Sequence, residues 1–185
     1  MRTMRLSFSV LAAAVLVAAC GEGHAIFNVD VYSFIHGTGG DTLHYTTPGI
    51  IGTTPPLNNP PLKVTLLPGL GSSVVDTVQV TGAAAIENNT GTGSLSFKIF
   101  FGADSNTVYS TTPVLSTSGN AGPGAVTTNL NLNAVLTSAQ DSLFTQKEVF
   151  VGVQAILSNN TTTPLDGRLQ LTSMHLRLVI KDKVF

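Results

Sequence analysis

Apolar residues recur at every second position along most of this chain, and that period of two constrains the fold more than any other feature. A strand turns successive side chains to opposite faces, so strict alternation marks a half-buried sheet. Phe27, Val29, Val31 and Ile35 alternate with Asn28, Asp30, Tyr32 and His36, which predicts a strand over about 25–36. Leu43 and Tyr45 predict a short second strand after the turn-forming run His36-Gly37-Thr38-Gly39-Gly40-Asp41. Residues 46–61 hold five prolines and read as an irregular surface connection. Leu62, Val64 and Leu66 resume the alternation, and Val74–Val80 is apolar on both sides at its start.

Ala83–Glu87, a turn at Asn88-Asn89-Thr90-Gly91 and a strong strand over Leu95–Phe101 follow. Thr107–Thr111 reads as a weaker strand, residues 116–125 as a long flexible loop, and Val126–Leu132 as a strand. Asn133–Phe144 is the one helix candidate, with Leu136, Ala139 and Leu143 at helical spacing. Val149–Leu157 alternates over a long strand whose other face carries Phe150 and Ile156. After a turn at Asn159–Gly167, the last strand, Arg168–Asp182, slips phase near Thr172–Met174, and a β-bulge is the simplest cause. The expectation is an all-β chain: a two-sheet antiparallel β-sandwich, Ig-like or jelly-roll-like, of eight to nine strands with at most one short helix. With no Trp and no Cys…Trp…Cys pattern, a true immunoglobulin domain is not supported.

The first twenty residues follow a different rule. Arg2 and Arg5 precede the apolar run Leu6–Ala19, which ends in Val17-Ala18-Ala19-Cys20. As a helix that run would be about 21 Å long, short of the roughly 30 Å bilayer core, and it contains Ser7 and Ser9. The arrangement resembles a bacterial lipoprotein signal peptide with its lipobox. The resemblance covers residues 1–20 only; no family is recognised for the rest. It implies that 1–19 is a cleaved signal peptide, that Cys20 becomes the acylated first residue, and that 20–24 forms a short tether before a single domain over 25–185. Gly21, where Asp would favour retention at the inner membrane, points to the outer membrane of a Gram-negative cell. Cleavage after Ala19 would also suit an ordinary secreted protein with Cys20 as a free thiol. The placing of the only cysteine directly after Val-Ala-Ala favours lipidation. A tether of about five residues reaches at most roughly 17 Å, so the domain is expected to sit against its membrane.

Charge and motifs narrow the function. Only 10% of residues are charged, against a typical quarter. Without Arg2 and Arg5 the chain is mildly acidic, which leaves no nucleic-acid footprint. With Cys20 spent at the N-terminus, no intrachain disulfide is possible. No G-x-S-x-G elbow occurs, since Gly69-Leu70-Gly71-Ser72-Ser73 lacks the final glycine. Gly37-x-Gly39, Gly91-x-Gly93 and Gly122-x-Gly124 do not open helices as phosphate loops do. Asp104-Ser105-Asn106 fits a capped turn better than a calcium loop, and the sequons at Asn88 and Asn159 read as turns. The chain is therefore expected to be non-catalytic and without a cofactor beyond the lipid on Cys20.

Two binding possibilities remain. His36, Asp41 and His44 form the densest polar cluster, a metal set only if folding brings them together with His24 or His175. Tyr32, Phe34, Phe100, Phe150 and Ile156 are out of phase with their strands' main apolar face and are the candidate partner contacts. The leading expectation is a lipid-anchored structural or accessory subunit of the bacterial envelope. It would meet the membrane through its N-terminal lipid, on the periplasmic face, and contact a protein partner in a membrane complex. The alternative is a small-ligand, glycan or metal-binding module using the 37–61 and 113–125 loops, with a hydrolase a distant third.

Overall fold

The computed structural model describes residues 23–66, 74–122, 126–136 and 142–182. The signal segment and Cys20 lie outside the described residues. Eleven strands are described: β1 (Gly23–Asp30), β2 (Thr42–Thr46), β3 (Gly52–Thr53), β4 (Leu57–Asn58), β5 (Leu62–Thr65), β6 (Val74–Thr90), β7 (Gly93–Gly102), β8 (Leu115–Ala121), β9 (Val126–Val135), β10 (Glu148–Asn159) and β11 (Asp166–Asp182). They form two antiparallel sheets. The first has the order β1-β11-β6-β9, with β2 also paired to β11; the second has the order β3-β10-β7-β8, with β4 and β5 also paired to β10. This is the expected two-sheet antiparallel β-sandwich, with eleven described strands in place of the eight to nine expected, because the two-residue β3 and β4 and the polar β8 pair where the sequence read as connection and loop.

The period of two explains the core. Val78, Val80, Ile86, Leu169, Leu171, Leu176 and Leu178 of the first sheet face inward and are buried. They meet Leu95, Phe97, Ile99, Val151, Val153 and Leu157 of the second. The predicted slip in the last strand is present: the β6–β11 register shifts between Leu171 and Ser173. Gly82 makes room for it, because a Cβ there would stand 2.7 Å from the Ser173 carbonyl oxygen.

Six local expectations fail, each where pairing or packing overrides the local pattern. Gly52–Thr53 and Leu57–Asn58, inside the expected irregular connection 46–61, pair with β10, and Asn88–Thr90, read as part of a turn, continue β6. The strand over 25–36 stops at Asp30, and Tyr32–Ile35 forms a four-residue helix, α1, that buries Ile35. Asp30 stops it: its carboxylate accepts from Ser33 N at 3.4 Å and its carbonyl from Ser33 Oγ at 2.8 Å. Val108–Ser110, read as a weak strand, is a 3₁₀ turn. Residues 116–121 of the expected loop 116–125 belong to β8, which pairs with β7 from Leu115–Ile99 to Ala121–Gly93; 123–125 lie outside the described residues. The helix candidate 133–144 fails as well. Asn133–Val135 continue β9 against β6, and Ser142–Thr145 form a 3₁₀ turn; 137–141 lie outside the described residues. Leu130 and Leu132 already set a period of two there, and a paired strand extends it.

Polar side chains close the end of the sandwich opposite Gly23. Asn88 is fully buried; its Nδ2 donates to Gly91 O (2.9 Å) and Gly122 O (2.6 Å), and its Oδ1 accepts from Tyr45 Oη at 3.3 Å. Asn159, also buried, donates to Pro48 O and Thr163 O. Both sequon asparagines thus serve as turn ties. Asp104 likewise caps its turn, accepting from Asn106 N at 2.8 Å.

Burial, reinforced by the Asp166 carboxylate, pushes the Tyr45 phenol up to about 12. An unfolded tyrosine ionises near pH 10. The stabilisation from keeping Tyr45 neutral is fully present below pH 10 and is lost as pH rises from about 10 to 12. Urea titrations across that window are expected to show a steeper loss of stability for the wild type than for Tyr45→Phe.

Candidate interaction surface

β1 is an edge strand. Its partner β11 sits on one side, with Phe27 opposite Leu178 and Asn28 opposite Arg177. Phe27 and Val29 point inward, while Ile26, Asn28 and Asp30 stand on the outer face. Because β1 ends at Asp30 and α1 turns away, the two sheets stay apart along this edge. A cavity of about 350 Å³ opens there, lined by Phe27, Val29, Phe34, Leu66, Phe144 and Leu178, with Asn28, Asp30, Ser33 and Thr65 at its polar margin. Phe144 is fully buried and packs edge-to-face on Phe101, ring centroids 5.4 Å apart. Phe34 is 51% exposed and Ile26 is 54% exposed. Val135 is 65% exposed in the same half, on the row that runs from Asn28 through Arg177 and Gln79.

The five out-of-phase aromatic and apolar candidates do not form one surface. Phe34 is exposed as expected. Tyr32 is half-buried against the core and its Oη lies 2.9 Å from His36 Nδ1. Phe100 is buried beneath Tyr109, whose ring meets it at 5.5 Å and 72°. The Tyr109 hydroxyl donates to the carbonyls of Asn59 and Val153, pinning residues 108–110 over the second sheet. Phe100 is therefore a core residue of a second, smaller packed face. Phe150 and Ile156 are half-buried on that outer face of β10, six residues and about 20 Å apart.

The polar cluster is divided as well. His36 Nδ1 lies 3.0 Å from Asp41 Oδ2, and Asp41 is buried, its carbonyl accepting from Leu171 N. His44 stands elsewhere, on the exposed face of β2 opposite Arg168. Among the described residues no three His, Cys, Asp or Glu side chains are grouped to hold a metal ion. His36 and Asp41 pair with each other and, with Tyr32, fasten α1 to the start of β2.

His44 instead borders a polar groove with Thr46, Glu87, Asn89, Asp166 and Arg168. Arg168 donates to Glu87 at 2.7 Å and holds its carboxyl below the usual carboxylate range. Asn89 and Thr46 donate to Asp166 and lower its carboxyl likewise. Every acid in this groove is thus matched to a donor, and the cluster acts as a cross-strand ladder.

Sequence reasoning missed Ile26, Val135, Ile50 and Ile51, all more than half exposed. Ile26 was recoverable, since it is out of phase with Phe27 and Val29. Val135 was hidden by its place in a helix candidate, and Ile50 and Ile51 by the proline-rich setting.

No protein-family model matches the chain, and no curated protein matches it in sequence. Among solved structures it is similar to a carbohydrate-binding module, CBM28, specific for non-crystalline cellulose, at 10% identity over 72% of each chain with a TM-score of 0.37. It is also similar to a chain of infectious bursal disease virus, Gx strain, at 10% identity over 88% of this chain and 37% of that one, TM-score 0.35. A third likeness is to the insecticidal delta-endotoxin Cry8Ea1 of Bacillus thuringiensis, at 11% identity over 80% of this chain and 24% of that one, TM-score 0.32.

The exposed and buried aromatic residues should separate cleanly by substitution. Phe34→Ala is expected to change unfolding free energy by no more than about 0.5 kcal/mol. Phe100→Ala should cost about 3–5 kcal/mol. Chemical denaturation monitored by circular dichroism reads both.

Proposed function

We propose that the protein is a non-catalytic, lipid-anchored β-sandwich of the bacterial envelope that serves as an accessory subunit. The observation that supports this most is the position of β1. It begins at Gly23, three residues after the cysteine of the lipobox-like sequence. Three residues span about 10 Å, which is shorter than the tether expected from sequence. An acylated Cys20 would therefore hold this end of the sandwich at the headgroups. The open edge, with Ile26 and Phe34, then lies in the membrane-proximal half, where a partner embedded in or seated on the same membrane is within reach. Two or more acyl chains are needed for stable attachment, and a lipobox cysteine acquires them. The periplasmic face of the outer membrane remains the proposed location.

The ligand-module alternative loses ground. Its 113–125 loop is largely β8, and within 37–61 the segments 42–46, 52–53 and 57–58 are paired strands. His36, Asp41 and His44 do not line a shared cleft.

The test is expression of the full chain in a Gram-negative host. The wild type should fractionate with membranes, partition into detergent and give an intact mass for residues 20–185 plus acyl chains. Cys20→Ser should abolish acylation and lose at least about nine-tenths of the detergent-partitioning protein. A wild type recovered soluble, with a free Cys20 thiol, would overturn the anchor.

A further inference from the structure

The sandwich has four sheet edges, and they are not equally protected. β8 and β9 lie against each other, so each covers the other's edge. The edge made by β3, β4 and β5 is broken into pieces of two to four residues with Pro55, Pro56, Pro60 and Pro61 between them. Short strands and prolines are the usual means of blocking edge pairing. β1 has neither. It is eight residues long, pairs with β11 without a register shift, and contains no Pro, Lys or Arg. Among the described residues nothing pairs with its outer edge. Beside that edge lies the apolar cavity, with Phe27 half-buried and Phe34 exposed. A free strand edge next to an apolar cleft is the geometry of strand addition.

We infer that the strand added is β1 of a second copy, paired antiparallel about a two-fold axis through Phe27. In a two-fold antiparallel pair, opposed residues share a face. Centring the axis on a residue keeps both cores on the same side, whereas centring it between residues sets inward residues against outward ones. Of the in-phase registers, the one centred on Phe27 sets His24 opposite Asp30 of the second copy, Ala25 opposite Val29 and Ile26 opposite Asn28. The two titratable residues of the strand thus meet twice, once at each end of the pair. A shift to Ile26 pairs His24 with Asn28, and a shift to Asn28 sets Asp30 against Ile26. Both forfeit the two His24–Asp30 contacts, and cross-strand polar pairs select register. Within one chain His24 and Asp30 are six residues apart on a straight strand, about 20 Å; Asp30 faces His175 of β11 at 3.7 Å on one side, and His24 of the second copy would stand on its other, open side. Phe27 meets Phe27 of the second copy on the inner face, and the two exposed Phe34 side chains flank the join. The pairing uses no atom of Cys20 and stands apart from the proposed anchor.

The test is made on the full chain. Two differently tagged copies, one carrying Ile26→Cys and the other Asn28→Cys, are co-expressed and mildly oxidised in isolated membranes. Both side chains are on the outer face, so the fold should be unaffected. Mixed 26–28 disulfides are expected to exceed the 26–26 and 28–28 products several-fold. In parallel, the wild type sized in mild detergent should have the mass of two copies. His24→Asp sets one acid opposite Asp30 at each end of the pair and should weaken association about tenfold, and adding Asp30→Lys should restore it. Asp30→Lys alone also disturbs the Ser33 turn, so the rescue is the readout that a merely structural role would not give. A one-copy mass, disulfides without the 26–28 preference, cross-links to a different protein, or failure of the charge exchange to rescue would each overturn the pairing. Cys20→Ser should leave the dimer intact, so loss of the anchor and loss of the dimer are distinguishable.

Discussion

The pairing of β6 with β11 carries the rest of the molecule. Each is seventeen residues long, and they face each other from Asp166–Thr90 to Lys181–Val74. Among the described residues no other strand pair is as long. β1 and β2 both hang on the far side of β11, and β9 hangs on the far side of β6. A ladder of that length accumulates twist, and three register shifts along β11 absorb it: near Asp166, at Leu171–Ser173 and at Val179. The middle shift moves the inward set from Leu169 and Leu171 to Met174, Leu176 and Leu178 without exposing any of them. Gly82 is the residue that permits it. One long, bulged pair thus fixes both the shape of the first sheet and the inward phase of every strand attached to it.

That phase is why so much of the fold was legible. Leu95–Phe101, Val149–Leu157 and Arg168–Asp182 alternate so regularly that only sheet positions satisfy them, and even the bulge near Thr172–Met174 shows as a slip. The failures share a physical cause. β8 is Leu-Ser-Thr-Ser-Gly-Asn-Ala, a sequence with turn composition and few apolar groups. It becomes a strand because β7 presents a full ladder to it. Asn133–Val135 was drawn towards a helix by the spacing of Leu136 and Leu143, but β6 extended the pairing past it. In the other direction, Val31 and Ile35 fitted a strand and still became part of a helical turn, because the Asp30–Ser33 bonds redirect the backbone. Tertiary pairing and side-chain caps decided these segments; local periodicity did not.

The interaction surface was less legible than the fold, for a related reason. An out-of-phase apolar residue can be exposed or covered by a second layer, and alternation cannot tell which. Phe34 is exposed because α1 turns it outward. Phe100 is covered because Tyr109 arrives from residues 108–110, a segment whose own sequence gave no sign of packing there. The His36–Asp41–His44 cluster fails as a metal set for a geometric reason. β2 begins at Thr42, so His44 moves along the sheet while His36 stays with α1. Proximity in sequence across a turn did not survive the start of a strand.

The two ends of the sandwich have been finished differently. Opposite the N-terminus, buried Asn88 and Asn159 gather the carbonyls of four turns, and Glu87, Arg168, Asp166 and Asn89 are mutually paired. Polar groups satisfied in this way lose little by being left alone and gain little from a partner. The N-terminal half has a different character: a strand edge with no partner among the described residues, a cleft floored by Phe144 and Leu178, and Ile26 and Phe34 in solvent. Apolar surface and unpaired backbone are what association relieves. The far end is not wholly polar, since Ile50 and Ile51 are exposed there beside the two-residue β3. β1 presents eight residues of edge next to the Phe144–Leu178 cleft, and that is the strongest reason to look for this protein's function along β1.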